Sequence, residues 1–164
     1  MAQIIDFDSA KQLEYDANKE VVSQLSTRGT PGYRPPEYYS KSPIDLRKHD
    51  AWSIGSMFYE AITKKNPYKA LGVPCSKETP KMETSAKFVE AMELRKQASI
   101  VPDEFDGSYS KPTQEFLFKL YDLLIVDADK RLTPEAYIKK HFPPGSAAPK
   151  SSLQGFATKI LHVS

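Results

Sequence analysis

Asp50-Ala51-Trp52-Ser53-Ile54-Gly55-Ser56-Met57-Phe58-Tyr59-Glu60-Ala61-Ile62 is the stretch on which the fold class turns. Ala51, Trp52, Ile54, Met57, Phe58, Ala61 and Ile62 would be apolar around much of a helical circumference. A helix of that kind is central and buried, and other elements must cover it. Asp45 is a good N-cap type and predicts the start of this helix near it. Asn66-Pro67 predicts its stop. An interior glycine costs about 1 kcal/mol against alanine, so Gly55 predicts close packing with a neighbour. Lys64 and Lys65 read as helix-end charge complementing the dipole.

The sequence downstream offers the covering elements. Leu71 to Met82 reads as loop. Ala86, Phe88, Val89, Met92 and Leu94 follow a moderate helical pattern. Phe116, Leu117, Leu120, Tyr121 and Leu124 fall at i, i+1, i+4, i+5 and i+8, a firm amphipathic helix. Thr133-Pro134-Glu135 combines an N-cap, a proline at the first helical position and an early acid, and predicts a last short helix through about Lys140. From Pro143 to Lys150 the residues are Pro, Gly, Ser, Ala and one Lys, a tail composition. Leu153 to Val163 reads as a continuation of that tail, with a docking segment as the alternative.

Upstream, Gln3 to Phe7 reads as a short strand. Asp8 to Gly29 lacks a period of 2 or 3.6 and reads as a long loop. Gly29 to Pro36 holds two Gly and three Pro, which predicts irregular backbone. The chain is therefore expected to be mainly α.

Composition narrows the class without naming a function. The chain has 164 residues, 40% hydrophobic and 27% charged, the mixture of a globular domain. A net charge of +2 is too small to imply a nucleic-acid or membrane partner, and neither is expected. No apolar run approaches the roughly 20 residues of a membrane span, and the first residues do not read as a signal peptide. The single cysteine, Cys75, cannot form an internal disulfide, which fits a reducing compartment. The expected location is intracellular, cytoplasmic or nuclear. With one Cys and scattered histidines no zinc site is expected; His49 and His141 read as surface or capping groups.

Four patterns carry the chemistry: Ile5-Asp6-Phe7-Asp8; Gly29-Thr30-Pro31-Gly32-Tyr33-Arg34-Pro35-Pro36-Glu37; Asp50 to Gly55 followed by Glu60; and Asp127-Ala128-Asp129-Lys130-Arg131-Leu132-Thr133. Taken alone, a strand-end Asp is a common turn former, and the other three are modest. In this order and at these separations they resemble the eukaryotic-type protein kinase family. The resemblance covers about Ile4 to Phe142 and implies the C-terminal (large) lobe of the kinase-like fold.

On that resemblance Asp6-Phe7-Asp8 matches the Asp-Phe-Gly motif, whose Asp binds Mg²⁺, so Asp6 is the expected metal ligand. Asp8 replaces the motif glycine and Pro35 the alanine of Ala-Pro-Glu. Residues 6–37 would be the activation segment and 38–142 the helical lobe, within a partial kinase domain spanning 1–142; 143–164 would be a flexible tail. Thr30 and Tyr33 would belong to the substrate loop, with Thr30 near the catalytic Asp and Lys of an intact parent. Read without the family, Thr30 makes local turn bonds and Tyr33 packs. Glu37 and Arg131 would form a buried pair tying that loop to the later helices. Asp50 would cap a catalytic loop, and Trp52 would pack in the core. Ser23, Ser26 and Thr27 are candidate phosphosites late in the activation loop.

The sequence also lacks parts that the resemblance calls for. Kinase chemistry rests on positioning and electrostatic stabilisation. No two of the seven glycines stand two apart, so there is no G-x-G. The only asparagines, Asn18 and Asn66, have Leu13 and Ala61 five residues before them, so no D-x-x-x-x-N exists. The expectation is a partial serine/threonine kinase domain whose small lobe and catalytic loop are missing from this chain. The parent would use Mg²⁺ and ATP on a protein substrate, while the chain alone would bind neither tightly and would be inactive. The rival expectation is a non-catalytic, pseudokinase-like module that binds a protein partner through an exposed face of the lobe.

Overall fold

The computed structural model describes residues 10–18, 20–24, 29–39, 43–102 and 107–144. The expected strand at residues 3–7 and the tail from residue 145 lie outside them. Among the described residues the regular structure is helical: α1 (Pro36–Tyr39), α2 (Leu46–Thr63), α3 (Pro67–Ala70), α4 (Lys81–Arg95), α5 (Lys111–Leu120) running into a 3₁₀ turn (Tyr121–Leu123), and α6 (Pro134–His141). Among the described residues, extended pairing is confined to isolated bridges, such as Gln24 with Ile44 and Ser99 with Ile125.

α2 is the axis. The Asp45 carboxylate accepts the Arg47 amide at 2.9 Å and opens the helix. Lys64 closes it in the left-handed conformation, φ 63°, donating its amide to the Glu60 carbonyl. Ala51, Trp52, Gly55, Ser56 and Tyr59 are buried. The helix is not covered all round, however: Met57 is 52% exposed, and Asp50 and Ala61 are exposed as well. With the half-buried Ile54 these residues stand at i, i+4, i+7 and i+11, one partly open stripe along α2.

Gly55 packs as its position predicts. A Cβ there would stand 2.9 Å from the Leu123 Cβ and 3.0 Å from the Leu124 Cγ. The Leu123 atom is fixed to backbone and cannot swing aside. Gly55→Ala would gain about 1 kcal/mol of helix propensity but meet an overpacking cost of about 1–3 kcal/mol. The expected result is a net loss of stability, read as a lower urea midpoint, and a larger loss for Gly55→Val. A stabilised Gly55→Ala would show that this contact yields readily.

Of the other helices, α4 and α5 depart from expectation, α6 follows it, and α1 and α3 are additions. α4 begins at Lys81, five residues before the apolar pattern, because Thr84 holds the first inward position. Its hydroxyl donates to the Pro74 carbonyl at 3.0 Å. Phe88 and Met92 continue that face, whereas Ala86, Val89 and Leu94 point outward. The helix at 116–124 ends at Leu120 and tightens into the 3₁₀ turn, which buries Leu123 and Leu124 against α2. α6 matches its signals: the Thr133 hydroxyl accepts the Ala136 amide at 3.3 Å. α1 and α3 were not expected. Each starts on a proline, Pro36 and Pro67, and Asn66 caps α3 by accepting the Lys69 amide at 2.9 Å. Asn66-Pro67 therefore starts a helix just after α2 has ended.

A ladder of edge-on and tilted rings joins α1 to the core. Tyr38, Tyr39, Tyr68, Phe88 and Trp52 follow one another at centroid separations of 5.2, 5.5, 5.2 and 6.2 Å. Rings at such distances and angles attract beyond their simple burial.

Candidate functional site: an anchored loop before α1

Residues 29–35 form a loop whose backbone groups are held by side chains from distant elements. A turn closes it, with the Tyr33 amide on the Thr30 carbonyl at 3.2 Å. The Gly32 amide donates to the Cys75 sulfur at 3.1 Å. Ser53 of α2 donates to the Tyr33 carbonyl at 3.0 Å, and Tyr68 of α3 to the Arg34 carbonyl at 2.7 Å. Gly32 has φ +89°, and a Cβ there would stand 2.8 Å from the Asn66 amide nitrogen, so the loop also lies hard against the α3 cap. The Tyr33 hydroxyl donates to the Glu60 carboxylate. That bond, aided by burial, raises the phenol above its ordinary pKa. Burial and the contact with Cys75 do the same for Tyr39, and burial does so for Tyr68.

The loop ends in a buried ion pair. Arg131 is fully buried and meets Glu37 at two points, Nη1 to Oε1 at 2.6 Å and Nη2 to Oε2 at 3.0 Å. Its Nε donates to the Ile125 carbonyl at 2.8 Å, Nη1 also to Lys48 at 3.1 Å, and Nη2 also to Val126 at 3.2 Å. All five guanidinium donors are thereby used. The Ile125 and Val126 carbonyls are presented by a segment tied to residues 98–100, through Val126 on Ala98 at 2.9 Å and Ile100 on Leu124 at 3.3 Å. The guanidinium carbon lies 4.8 Å from the Trp52 ring centre. Lys48 donates in turn to the Arg131 and Asp129 carbonyls, and burial lowers the pKa of its ammonium.

The expected site residues thus divide. Glu37, Arg131 and Trp52 come together, with Tyr33 anchored close by in sequence. Thr30 and Ser23 are exposed. The Asp50 side chain is 73% exposed, with His49 Nδ1 at 3.8 Å. Asp6, Ser26 and Thr27 lie outside the described residues. Among those described, no cluster of three or more His, Cys, Asp or Glu could hold a metal ion, and no helix is long and apolar enough to cross a membrane. Two expectations need correction. His49 is largely buried, with 13% of its side chain exposed. His141 ends α6 as a capping group would, yet it is also enclosed, 2.6 Å from the Asp122 carboxylate and tilted on the Tyr137 ring.

Sequence reasoning missed Cys75, Ser53, Tyr68 and Lys48, which hold the loop and its anchor. None carries a local signal, since each acts on a residue at least 20 positions away.

The family model for the protein kinase domain matches residues 1–142. The chain is similar to a probable serine/threonine-protein kinase, RTK1, of Saccharomyces cerevisiae, 34% identical over 68 residues, which are 42% of this chain and 11% of that protein. It is similar to the serine/threonine-protein kinase TOUSLED of Arabidopsis thaliana, 32% identical over 71 residues, 42% of this chain and 10% of that protein. The dual specificity protein kinase shkB of Dictyostelium discoideum is 27% identical over 105 residues, 64% of this chain and 14% of that protein. The matched segments are thus a small part of these relatives' length. With a match over most of its residues, this chain belongs to the protein kinase family.

Proposed function

We propose that this chain is the C-terminal lobe of a serine/threonine protein kinase domain and transfers no phosphate by itself. The observation that carries this reading is the Glu37–Arg131 pair, which locks the loop before α1 to the body of the fold. In an intact parent that loop would present an acceptor hydroxyl, with Thr30 exposed beside it, and the parent would move the γ-phosphoryl of ATP to a protein Ser or Thr. Asp6 would hold Mg²⁺ there, and the metal would neutralise phosphate charge. The described residues supply neither a phosphate cradle nor a catalytic base. The open stripe of α2, with Asp50 and Met57 exposed, supports a lobe that meets further polypeptide.

Pure protein is therefore expected to show no ATP-dependent labelling of itself or of generic substrates, because the transition-state charge has few partners. A radiolabelled phosphate assay tests this, with Asp6→Ala as control; activity that disappears in the control overturns the reading. Mg-ATP at millimolar concentration should leave the melting temperature unchanged, whereas a ligand at 100 times its dissociation constant adds about 2.7 kcal/mol of stability.

The same open stripe favours a second reading, a non-catalytic module that binds a protein through that face. Coding sequence upstream of Met1 separates the two. An in-frame catalytic loop there supports the kinase lobe; a genuine start without kinase sequence before it supports the module.

A further inference from the structure

Between α1 and α4 runs an apolar groove of about 430 Å³, walled by Pro36 and Tyr39 on one side and Phe88, Val89 and Met92 on the other, with the exposed Glu93 beside it. Val89 is 51% exposed there, although it sits beside the buried Phe88. We propose that residues 153–163 of this same chain dock in the groove. This goes beyond the kinase reading and does not depend on it.

Three observations select that occupant. Leu153, Phe156, Ile160 and Leu161 stand at i, i+3, i+7 and i+8, an apolar set that one helical face would present to a groove. Lys159 adds a positive charge to match Glu93. The tether also reaches. His141 ends α6 2.6 Å from the Asp122 carboxylate, and Asp122 is four residues from Val126, which lines the groove. The end of α6 is thus within about 25 Å of the groove, while the twelve residues from His141 to Leu153 extend up to roughly 40 Å.

Hydrogen exchange read by mass spectrometry on the full chain tests the contact. Ile160→Asp should speed exchange about tenfold or more in residues 81–95, and Val89→Lys should do the same in residues 153–163, with α2 unchanged as the folding control. Ile160→Asp leaves the sequence of α4 untouched, so its effect on α4 reads docking even if the α4 variant folds poorly. Lys159→Glu should speed exchange in both segments, and adding Glu93→Lys should restore it. The proposal is overturned if exchange in residues 81–95 ignores Ile160→Asp, or if the charge swap restores nothing. It is equally overturned if the protection rises with protein concentration, which would seat a second copy in the groove.

Discussion

Arg131→Ala is expected to cost about 3–5 kcal/mol of folding stability, the range for breaking one side of a buried, hydrogen-bonded ion pair. Burial decides between this value and the roughly 0–1 kcal/mol of an exposed pair. Arg131 is fully buried, and the Glu37 side chain is 14% exposed. Removing the guanidinium leaves the Glu37 carboxylate and the Ile125, Val126 and Lys48 carbonyls without their shared donor. Glu37→Ala is expected at the lower end of the range, because the stranded guanidinium keeps its three carbonyl partners. The double mutant should cost much less than the sum, with a coupling of about 2–3 kcal/mol. Arg131→Lys should recover little, since one ammonium cannot serve five donor positions in a plane. Urea unfolding of the set, followed by the fluorescence of the single tryptophan, measures all of this. Small, additive losses would mean that the pair does not brace the loop.

Trp52→Ala should produce a loss of similar size, about 3–5 kcal/mol for a fully buried large aromatic. Trp52 is the hub between two systems. Its ring meets Phe88 at a steep angle at the end of the ring ladder, and one face meets the Arg131 guanidinium at 4.8 Å. Truncation would therefore open a cavity in the core and also remove the aromatic surface on which the ion pair rests. Trp52→Phe should be much milder: the indole N–H has no acceptor among the described residues, so the exchange breaks no hydrogen bond there. Because Trp52 touches Arg131, the losses from Trp52→Ala and Arg131→Ala should not add. Far-UV circular dichroism follows unfolding in these variants, which lack the fluorescent probe. A loss below about 1 kcal/mol for Trp52→Ala, or strict additivity with Arg131→Ala, would remove Trp52 from the brace.

Local chemistry was legible wherever a signal acts over one turn of chain. Asp45 and Thr133-Pro134 read correctly, because a cap depends on immediate neighbours and little else. Gly55 was legible as a close-packing position because a helix-interior glycine is unfavourable by itself, but that Leu123 and Leu124 are what it packs against was not. The same logic failed at Thr84, an inward polar residue that satisfies its hydroxyl on the Pro74 carbonyl and so breaks the apolar pattern of α4. It missed α1 and α3 too: Pro36 read only as irregular loop and Asn66-Pro67 only as the stop of α2, which does end at Thr63, yet each proline also opens a short helix.

The site divides along the same line. Glu37 and Arg131 stand 94 residues apart, and no periodicity joins them; the order of four motifs suggested the pairing through a family likeness. By itself the sequence determined a mainly helical chain with one central helix, a proline- and glycine-rich loop before it, and the residue types able to anchor that loop. Only the tertiary structure decided which carbonyls Arg131 would receive, that Cys75, Ser53 and Tyr68 would hold the loop backbone, and which stripe of α2 would stay open. The physical reason is range. Capping and turn preferences act between neighbours along the chain, whereas a buried charge takes its partners from whichever backbone groups the completed packing brings within about 3 Å.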